Sequence, residues 1–545
     1  MSFSSKGTVH RSTVTGRRGM IASAHPLASL AGVRMLMQGG NAFDAIIATA
    51  AALNVVEPYM SGLGGNGYMH FYHAASGTHQ VIDYMGTTPA GAHLHLYDSD
   101  EKHTKGPLTP LVPGAPAGWL AALEKYGTMD PIDVFAPAIE YAELGFPLTV
   151  INALWINWDA PNLRKFPNSG QVYIQPGREA QAGDILIQKD LANTFRQIGR
   201  NGVDAFYRGD IADRIVSYMA DNGGLITHED LQGLQIHWQT PLHTDYRGFK
   251  IYAPEPPCQA VQFFETLNIM EGFDVGGLGH NSTANLHNFI EAAKLSTADR
   301  IAHTIGNPPP TAGLISKEFA AARRAQITDR AQVTAGERFN ERRLAGEVEP
   351  GDPWHFMQTE NTTHFEAVDA QGNAVAVTQS LGGLFGSSVV IPGTGLALND
   401  FIRWMDREAD SPNAIAPNKK PEMCMSPVQV WKDGQLRFMV GTPGSYGIMQ
   451  TTPQMIMNVI DHDMNIQAAI EAARVRTSEP GLQVDVESRV PEDVRAALAA
   501  MGHEINVIEP FSAMVGGGQG IAVDPETGAF MGGADPRRDG YALGY

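Results

Sequence analysis

Cysteine is almost missing from this chain: Cys258 and Cys424 are the only two in 545 residues. Two thiols cannot build a disulfide framework or a Cys–His metal centre, and their scarcity points to a reducing compartment. Positive charge is also short. There are 39 Lys+Arg against 58 Asp+Glu, a formal net charge of -19. With no basic patch interleaved with aromatics, this balance argues against nucleic acid or an anionic membrane as partner. No stretch approaches the roughly 20 uninterrupted apolar residues of a membrane helix. The opening MSFSSKGTVHRSTVTGRRGM has basic residues but no apolar run after them, so no signal peptide is expected. None of the eighteen histidines falls in a metal-ligand spacing such as H-E-x-x-H, so neither a metal nor a cofactor is expected. Internal repeats and low-complexity segments are absent as well. These absences leave a soluble cytoplasmic protein as the default expectation.

What is present is ordinary globular composition, 43% hydrophobic and 18% charged, with length for a large core. HPLASLAGVRMLMQGGN reads as a helix stopped by Gly39-Gly40-Asn41, and FDAIIATAAALNVVEP as a helix apolar all round, hence buried. GNGYMHFYH and THQVIDYM read as a hairpin across AASG. Residues 308–355 are polar and proline-bearing, the best candidate for an exposed connector. Beyond it strands dominate: TTHFEAVDA, NAVAVTQSL, SSVVI and LALN. Helices and strands in this arrangement predict an α+β protein with helices covering sheet faces.

GLGGNG at 62–67 matches the dinucleotide fingerprint by letter, but a helix precedes it and a strand follows, the reverse of what that fingerprint requires. It reads as a turn where backbones pack closely. GTPGSYG at 441–447 lies between a predicted strand and a predicted helix. That placement suits either a tight turn or a set of backbone donors for an oxyanion. The run from Glu360 to Gly383 reads as a hairpin turning at Asp369–Asn373, with paired positions summing to 742. In that register Thr362 faces Ser380 and His364 faces Thr378, with room for a one-residue slip at a bulge. A hydroxyl pair that merely stabilises a sheet and a pair that does chemistry are both compatible with this pattern.

The TTH-x4-D-x2-GNAV-x-VT run resembles the signature of the gamma-glutamyltransferase family of N-terminal-nucleophile hydrolases. ASAHPLAS, SGLGGNGYM, VPGAPAGW, FYRGDIADRI, NGGLITHEDL, MSPVQV, GTPGSYG and ADPRRDGYALGY extend the likeness over nearly the whole chain. The resemblance implies an αββα sandwich of two stacked, mainly antiparallel sheets flanked by helices. It implies self-cleavage at Asn361–Thr362 into fragments 1–361 and 362–545, intertwined in one domain, with 308–361 an exposed connector. Thr362 would then supply the nucleophilic hydroxyl and an α-amine base, which is why no serine–histidine–aspartate set is needed. Ser380 would orient that hydroxyl, Gly444 and Ser445 would form the oxyanion hole, and Thr363 and Thr378 would support.

The family's grip on a glutamyl group is altered. Its arginine aligns with Met85 and its asparagine with Gly382, its glutamine and aspartate fall near Phe401 and Trp404, and its serine pair is replaced by Met423 and Cys424. Arg403 is the nearest cation that could hold a substrate carboxylate; an ion-paired arginine is the alternative. This pattern is similar to the family's divergent branches, the cephalosporin acylases and the small amidohydrolases such as those acting on oxamate, and GLFG-x2-V-x-IPGTG resembles the acylase branch in particular. The expectation is therefore an amidohydrolase with changed acyl specificity, acting on a small-molecule amide. An authentic glutathione hydrolase or transpeptidase, and a silent family member that binds a metabolite or partner, are the alternatives. The two fragments would stay associated, which is compatible with a homo-oligomer of such pairs.

Overall fold

A computed structural model of the chain describes residues 9–304, 309–334, 360–477 and 481–545. Its principal elements begin with β1 (Gly19–Ser23), α1 (Pro26–Met37), α2 (Ala42–Val56), β2 (Asn66–His73) and β3 (Thr78–Asp83). Then come β4 (His237–Gln239), β5 (Leu242–Tyr246), β6 (Phe249–Ala253), α3 (Val261–Met270), α4 (Thr283–His303) and α5 (Lys317–Arg324). The last third gives β7 (Glu360–Asp369), β8 (Ala374–Gly383), β9 (Val428–Lys432), β10 (Gln435–Gly441), α6 (Ile448–Ile460), β11 (Gln519–Val523), β12 (Phe530–Ala534) and β13 (Tyr541–Gly544). The chain divides into two compact units. One comprises Thr15–Thr240, Glu360–Glu422 and Arg538–Tyr545; the other comprises Met1–Val14, Pro241–Thr359 and Met423–Arg537.

The first unit is built on an antiparallel sheet ordered β13–β1–β7–β8–β2–β3–β4. Helix α2 starts at a capping box. Asn41 Oδ1 accepts the N–H groups of Phe43 and Asp44, and the Asp44 carboxylate accepts the Asn41 N–H. Every residue of α2 is buried, as its unbroken apolar run requires. Its side chains share one core with Met69 and Phe71 of β2, Phe365 and Ala367 of β7, and Val375 and Val377 of β8. These strand positions are two apart, so they line one face of the sheet. The alternate residues His70, His364, Glu366 and Thr378 line the opposite face and are fully buried too.

The other unit carries a second antiparallel sheet, six of whose strands run β12–β11–β10–β9–β6–β5. Helices α3, α4, α5 and α6 belong to the same unit. Part of the expected connector is ordered helix. Within 309–334, α5 is tied down by Arg323, whose Nε donates to Asp299 of α4 at 2.7 Å, and by the buried Ala320. Residues 335–359 of that expected connector lie outside the described residues.

The expected strands SSVVI and LALN shrink to two residues each, Val390–Ile391 and Leu396–Ala397. Thr394 causes this. Its hydroxyl donates to Ile391 O and accepts the Leu396 N–H, closing a turn that consumes the flanking residues. Among the described residues no helix is long and apolar enough to cross a membrane. Mixed helices and mainly antiparallel sheets make this an α+β fold.

Candidate active site

The β7–β8 hairpin is closed by one side chain. The Asp369 carboxylate accepts the N–H groups of Gln371 and Asn373 and the Asn373 side-chain amide. From that turn the register runs as the sum of 742 predicts, with Val368 opposite Ala374, His364 opposite Thr378 and Thr363 opposite Gln379. It then slips, and Asn361 faces Gly382. Thr362 alone therefore faces two residues, Ser380 and Leu381, which is a bulge on β8. Leu381 N–H leaves the ladder for Met60 O at 2.9 Å, and Gly382 N–H donates to Ser380 Oγ at 2.8 Å. The bulge thus holds Ser380 against the strand while re-aiming the chain beside Thr362, which is 3% exposed.

Close backbone approach explains the glycines around this point. A Cβ on Gly65 would stand 2.4 Å from Ser380 O, and one on Gly67 would stand 2.6 Å from Thr378 O. The GLGGNG run is therefore a packing device against β8, not a nucleotide loop. Gly382, with φ +98°, would put a Cβ 2.1 Å from Asp400 Oδ1. A side chain where the family carries asparagine is thus excluded by Asp400, whose Oδ1 also accepts the Gly383 N–H at 2.6 Å. Arg403 lies in the helical turn Phe401–Trp404, and its Nη1 stands 3.3 Å from Asp400 Oδ2. Its side chain is 3% exposed, so it is an ion-paired arginine but not a surface one. Lys105 Nζ, 3.9 Å from Asp400, donates to Leu384 O and Gly386 O at 2.6 Å each. Lys105, Asp400 and Arg403 together fix the turn that leaves β8. Phe401 is buried beside them and Trp404 half-buried.

Below Thr362, on the polar face of the sheet, a hydrogen-bonded row runs across the hairpin. Thr378 Oγ1 is 2.8 Å from His364 Nδ1, and His364 Nε2 is 3.0 Å from Glu366 Oε1. The neutral ring donates from one nitrogen and accepts at the other, so the row is continuous in either tautomer when Glu366 or Thr378 supplies the complementary role. Burial pushes the His364 pKa down to about 3, which keeps the imidazole neutral. On the other face, the Thr363 hydroxyl donates to Glu57 Oε2 at 3.1 Å. Glu57 follows α2 and is fully buried. Burial raises its pKa to about 7, Asp539 adding to the rise while Arg538 and the Thr363 hydrogen bond oppose it.

Sequence reasoning placed Thr363 and Thr378 but missed Glu57, Glu366 and Asp400. The only sequence signal for Glu366 was its position two residues after His364. Met85, at the end of the β3 segment, is 1% exposed, its N–H donating to Asp83. The structure thus gathers Thr362, Thr363, Thr378, Ser380 and Gly382 on one hairpin, with Phe401, Arg403 and Trp404 on the turn held to its end.

Gly444, Ser445, Met423 and Cys424 belong to the other unit. There GTPGSYG does join strand β10 to helix α6, through a short helical turn at Ser445–Gly447. Gly444 (φ +129°) and Ser445 (φ +57°) both have left-handed backbones. The Ser445 hydroxyl is buried with no hydrogen-bond partner among the described residues. Met423 and Cys424 are buried, Met423 exchanging backbone hydrogen bonds with Pro257 and Gln259. One cluster in this unit has metal-ligand spacing. His287, Glu291 and His503 offer atoms within 4.8 Å of one another. Internal partners account for it: Lys294 Nζ sits 2.5 Å from Glu291 Oε1, and His287 bonds His503 at 2.9 Å.

Comparison with known proteins follows the same lines. The family model Gamma-glutamyltranspeptidase matches residues 28–545. The Acylase ACY 1 proenzyme of Pseudomonas sp. (strain SE83) is 37% identical, over 98% of this chain and 94% of its own length. The Glutathione hydrolase proenzyme of Bacillus subtilis (strain 168) is 34% identical, over 97% and 92%. The crystal structure of cephalosporin acylase from Bacillus halodurans superposes with a TM-score of 0.88 at 30% identity, covering 99% of this chain and 98% of that one. That match gives the two sheets and their helices the N-terminal-nucleophile hydrolase fold. The chain belongs to the gamma-glutamyltranspeptidase family and is an enzyme of it, a hydrolase.

Proposed function

We propose that this chain is a self-processing amidohydrolase whose nucleophile is Thr362, with acyl recognition altered from that of a glutathione hydrolase. The observation that carries the reading is the bulge that sets Thr362 alone against Ser380 and Leu381 near the buried start of β7. In the precursor, the Thr362 hydroxyl attacks the carbonyl carbon of Asn361. The C–N bond breaks, an ester forms, and the hydroxyl proton ends on the freed α-nitrogen. Water then splits the ester, leaving a carboxylate on Asn361 and a free amine on Thr362. An α-amine has a pKa near 8, so part of it is neutral at pH 7 and serves as base for the adjacent hydroxyl. Thr362 then attacks a substrate amide, an amine leaves, and water takes the acyl group.

Ser380 orients the nucleophile, and the Thr378–His364–Glu366 row fixes the strand face below it. Gly444 and Ser445 are the proposed oxyanion-hole residues; their left-handed turn suits backbone N–H donors that point outward. The acyl pocket accepts an uncharged or singly charged group. Met85 and Phe401 offer no partners to a glutamyl ammonium, and burying one beside them would cost several kcal/mol. Arg403 is matched by Asp400, so a substrate carboxylate would have to displace Asp400 from it. Two buried cysteines, the Cys258 thiol donating to Met425 O, suit the cytoplasm as compartment.

The test is an amide panel of glutaryl, γ-glutamyl and oxamate compounds on wild type and Thr362→Ala. Turnover of a γ-glutamyl anilide at a rate matching the glutaryl substrate would replace this reading by authentic glutathione hydrolase activity. Absence of turnover on every amide, with the chain intact, would leave a silent binding protein.

A further inference from the structure

Glu57 has no place in the chemistry above, yet its carboxylate touches the residue next to the nucleophile. It lies fully buried just past α2 and accepts the Thr363 hydroxyl at 3.1 Å. Thr363 is the first residue of β7 to pair in regular register with β8, opposite Gln379, directly after the bulge at Thr362. Whatever holds Thr363 therefore sets where the bulge begins. The groups facing Glu57 are Arg538 and Asp539 from the C-terminal segment and Tyr59 from its own turn. Arg538 is itself buried, 5% exposed, with Nη1 against Met60 Sδ at 3.3 Å.

We propose that Glu57 is a positioning residue for self-cleavage: its carboxylate, as acceptor of the Thr363 hydroxyl, pins Thr363 and so aims the Thr362 hydroxyl at the Asn361 carbonyl. This rests on the reading of Thr362 as nucleophile. A charged acceptor holds a hydroxyl more tightly than a neutral one. With its pKa raised to about 7, Glu57 changes state where self-cleavage would be followed. The α-amine of Thr362 cannot produce that dependence, because in the precursor its nitrogen is an amide. His364, on the other face, stays neutral throughout the same range.

The experiment follows self-cleavage of freshly translated full-length precursor, diluted into buffers from pH 5.5 to 8.5, on denaturing gels. Wild type should cleave about tenfold faster above pH 7.5 than below pH 6. Glu57→Gln should cleave at the slow acid-limb rate at every pH, with an unchanged circular dichroism spectrum. Thr363→Val, nearly the same in shape, should flatten the profile in the same way and carries the test if Glu57→Gln fails to fold. A variant that keeps the wild-type rise with pH would overturn the proposal. So would one that is uniformly slower with the same profile, since a packing role moves only the rate. Cleavage in Thr362→Ala would instead remove the nucleophile assignment on which the proposal stands.

Discussion

Thr362→Ala deletes one hydroxyl and one methyl from a residue that is 3% exposed, so the fold should lose only about 1–2 kcal/mol. Self-cleavage and amide hydrolysis should both vanish, read by denatured mass and by turnover. Ser380→Ala removes the hydroxyl facing Thr362 and the acceptor for Gly382 N–H. A loss of about tenfold in cleavage rate, equivalent to ~1.4 kcal/mol, is expected. Two buried titratable groups on opposite faces of β7 should act on stability with opposite signs. Glu57 binds its proton more tightly in the folded chain than its ordinary 4.5 allows, so its contribution is complete below about pH 4.5 and lost as pH rises through about 7. His364 refuses a proton when folded, so its contribution is complete above about pH 6.5 and lost as pH falls through about 3. Thermal melts should therefore show Glu57→Gln gaining on wild type from pH 5 to 8, and His364→Gln losing less than wild type from pH 6.5 to 4. A constant offset in either comparison would contradict the assigned shift.

The β7–β8 hairpin shows what was legible in the chain and what was not. Its turn and register could be read because Asp369 and Asn373 are local turn chemistry and strand pairing counts outward from a turn. The bulge could be allowed for but not placed. On the β8 side it is fixed by Met60 O, more than 300 residues earlier, which draws the Leu381 N–H out of the ladder. Asp400 and Glu57 were invisible for the same reason: each matters through a contact distant in sequence. The all-round apolar run of α2, by contrast, declared its burial outright. The strands SSVVI and LALN were overread because β-branched residues were present but the Thr394 turn was not foreseen. At this scale Gly382→Ala is the sharpest probe. A Cβ would collide with Asp400 Oδ1 and require φ +98°, costing about 1–3 kcal/mol. Self-cleavage should be lost at temperatures where the variant is still folded. Gly382→Ala/Asp400→Ala should recover part of the melting temperature, which would remain unchanged were the clash not the cause.

Across the whole molecule, each sheet draws strands from both sides of Thr362. β1–β4 precede it, β7 contains it, and β8 and β13 follow it in one unit; β5 and β6 precede it and β9–β12 follow it in the other. Removing one peptide bond leaves those ladders intact, so the fragments 1–361 and 362–545 should co-elute in gel filtration and separate only in denaturant. Separation under native conditions would contradict the interleaving. The family's resemblance was legible because its motifs are spread through every part of the chain. The compactness of two separate units was not, since each is assembled from three segments.

The most direct measurement is the denatured mass of purified wild type beside Thr362→Ala. Two wild-type fragments, the smaller beginning at Thr362, with an intact mutant, is the predicted result. An intact wild-type chain, or a cut leaving any other residue at the new N-terminus, would contradict the assignment of Thr362 as nucleophile.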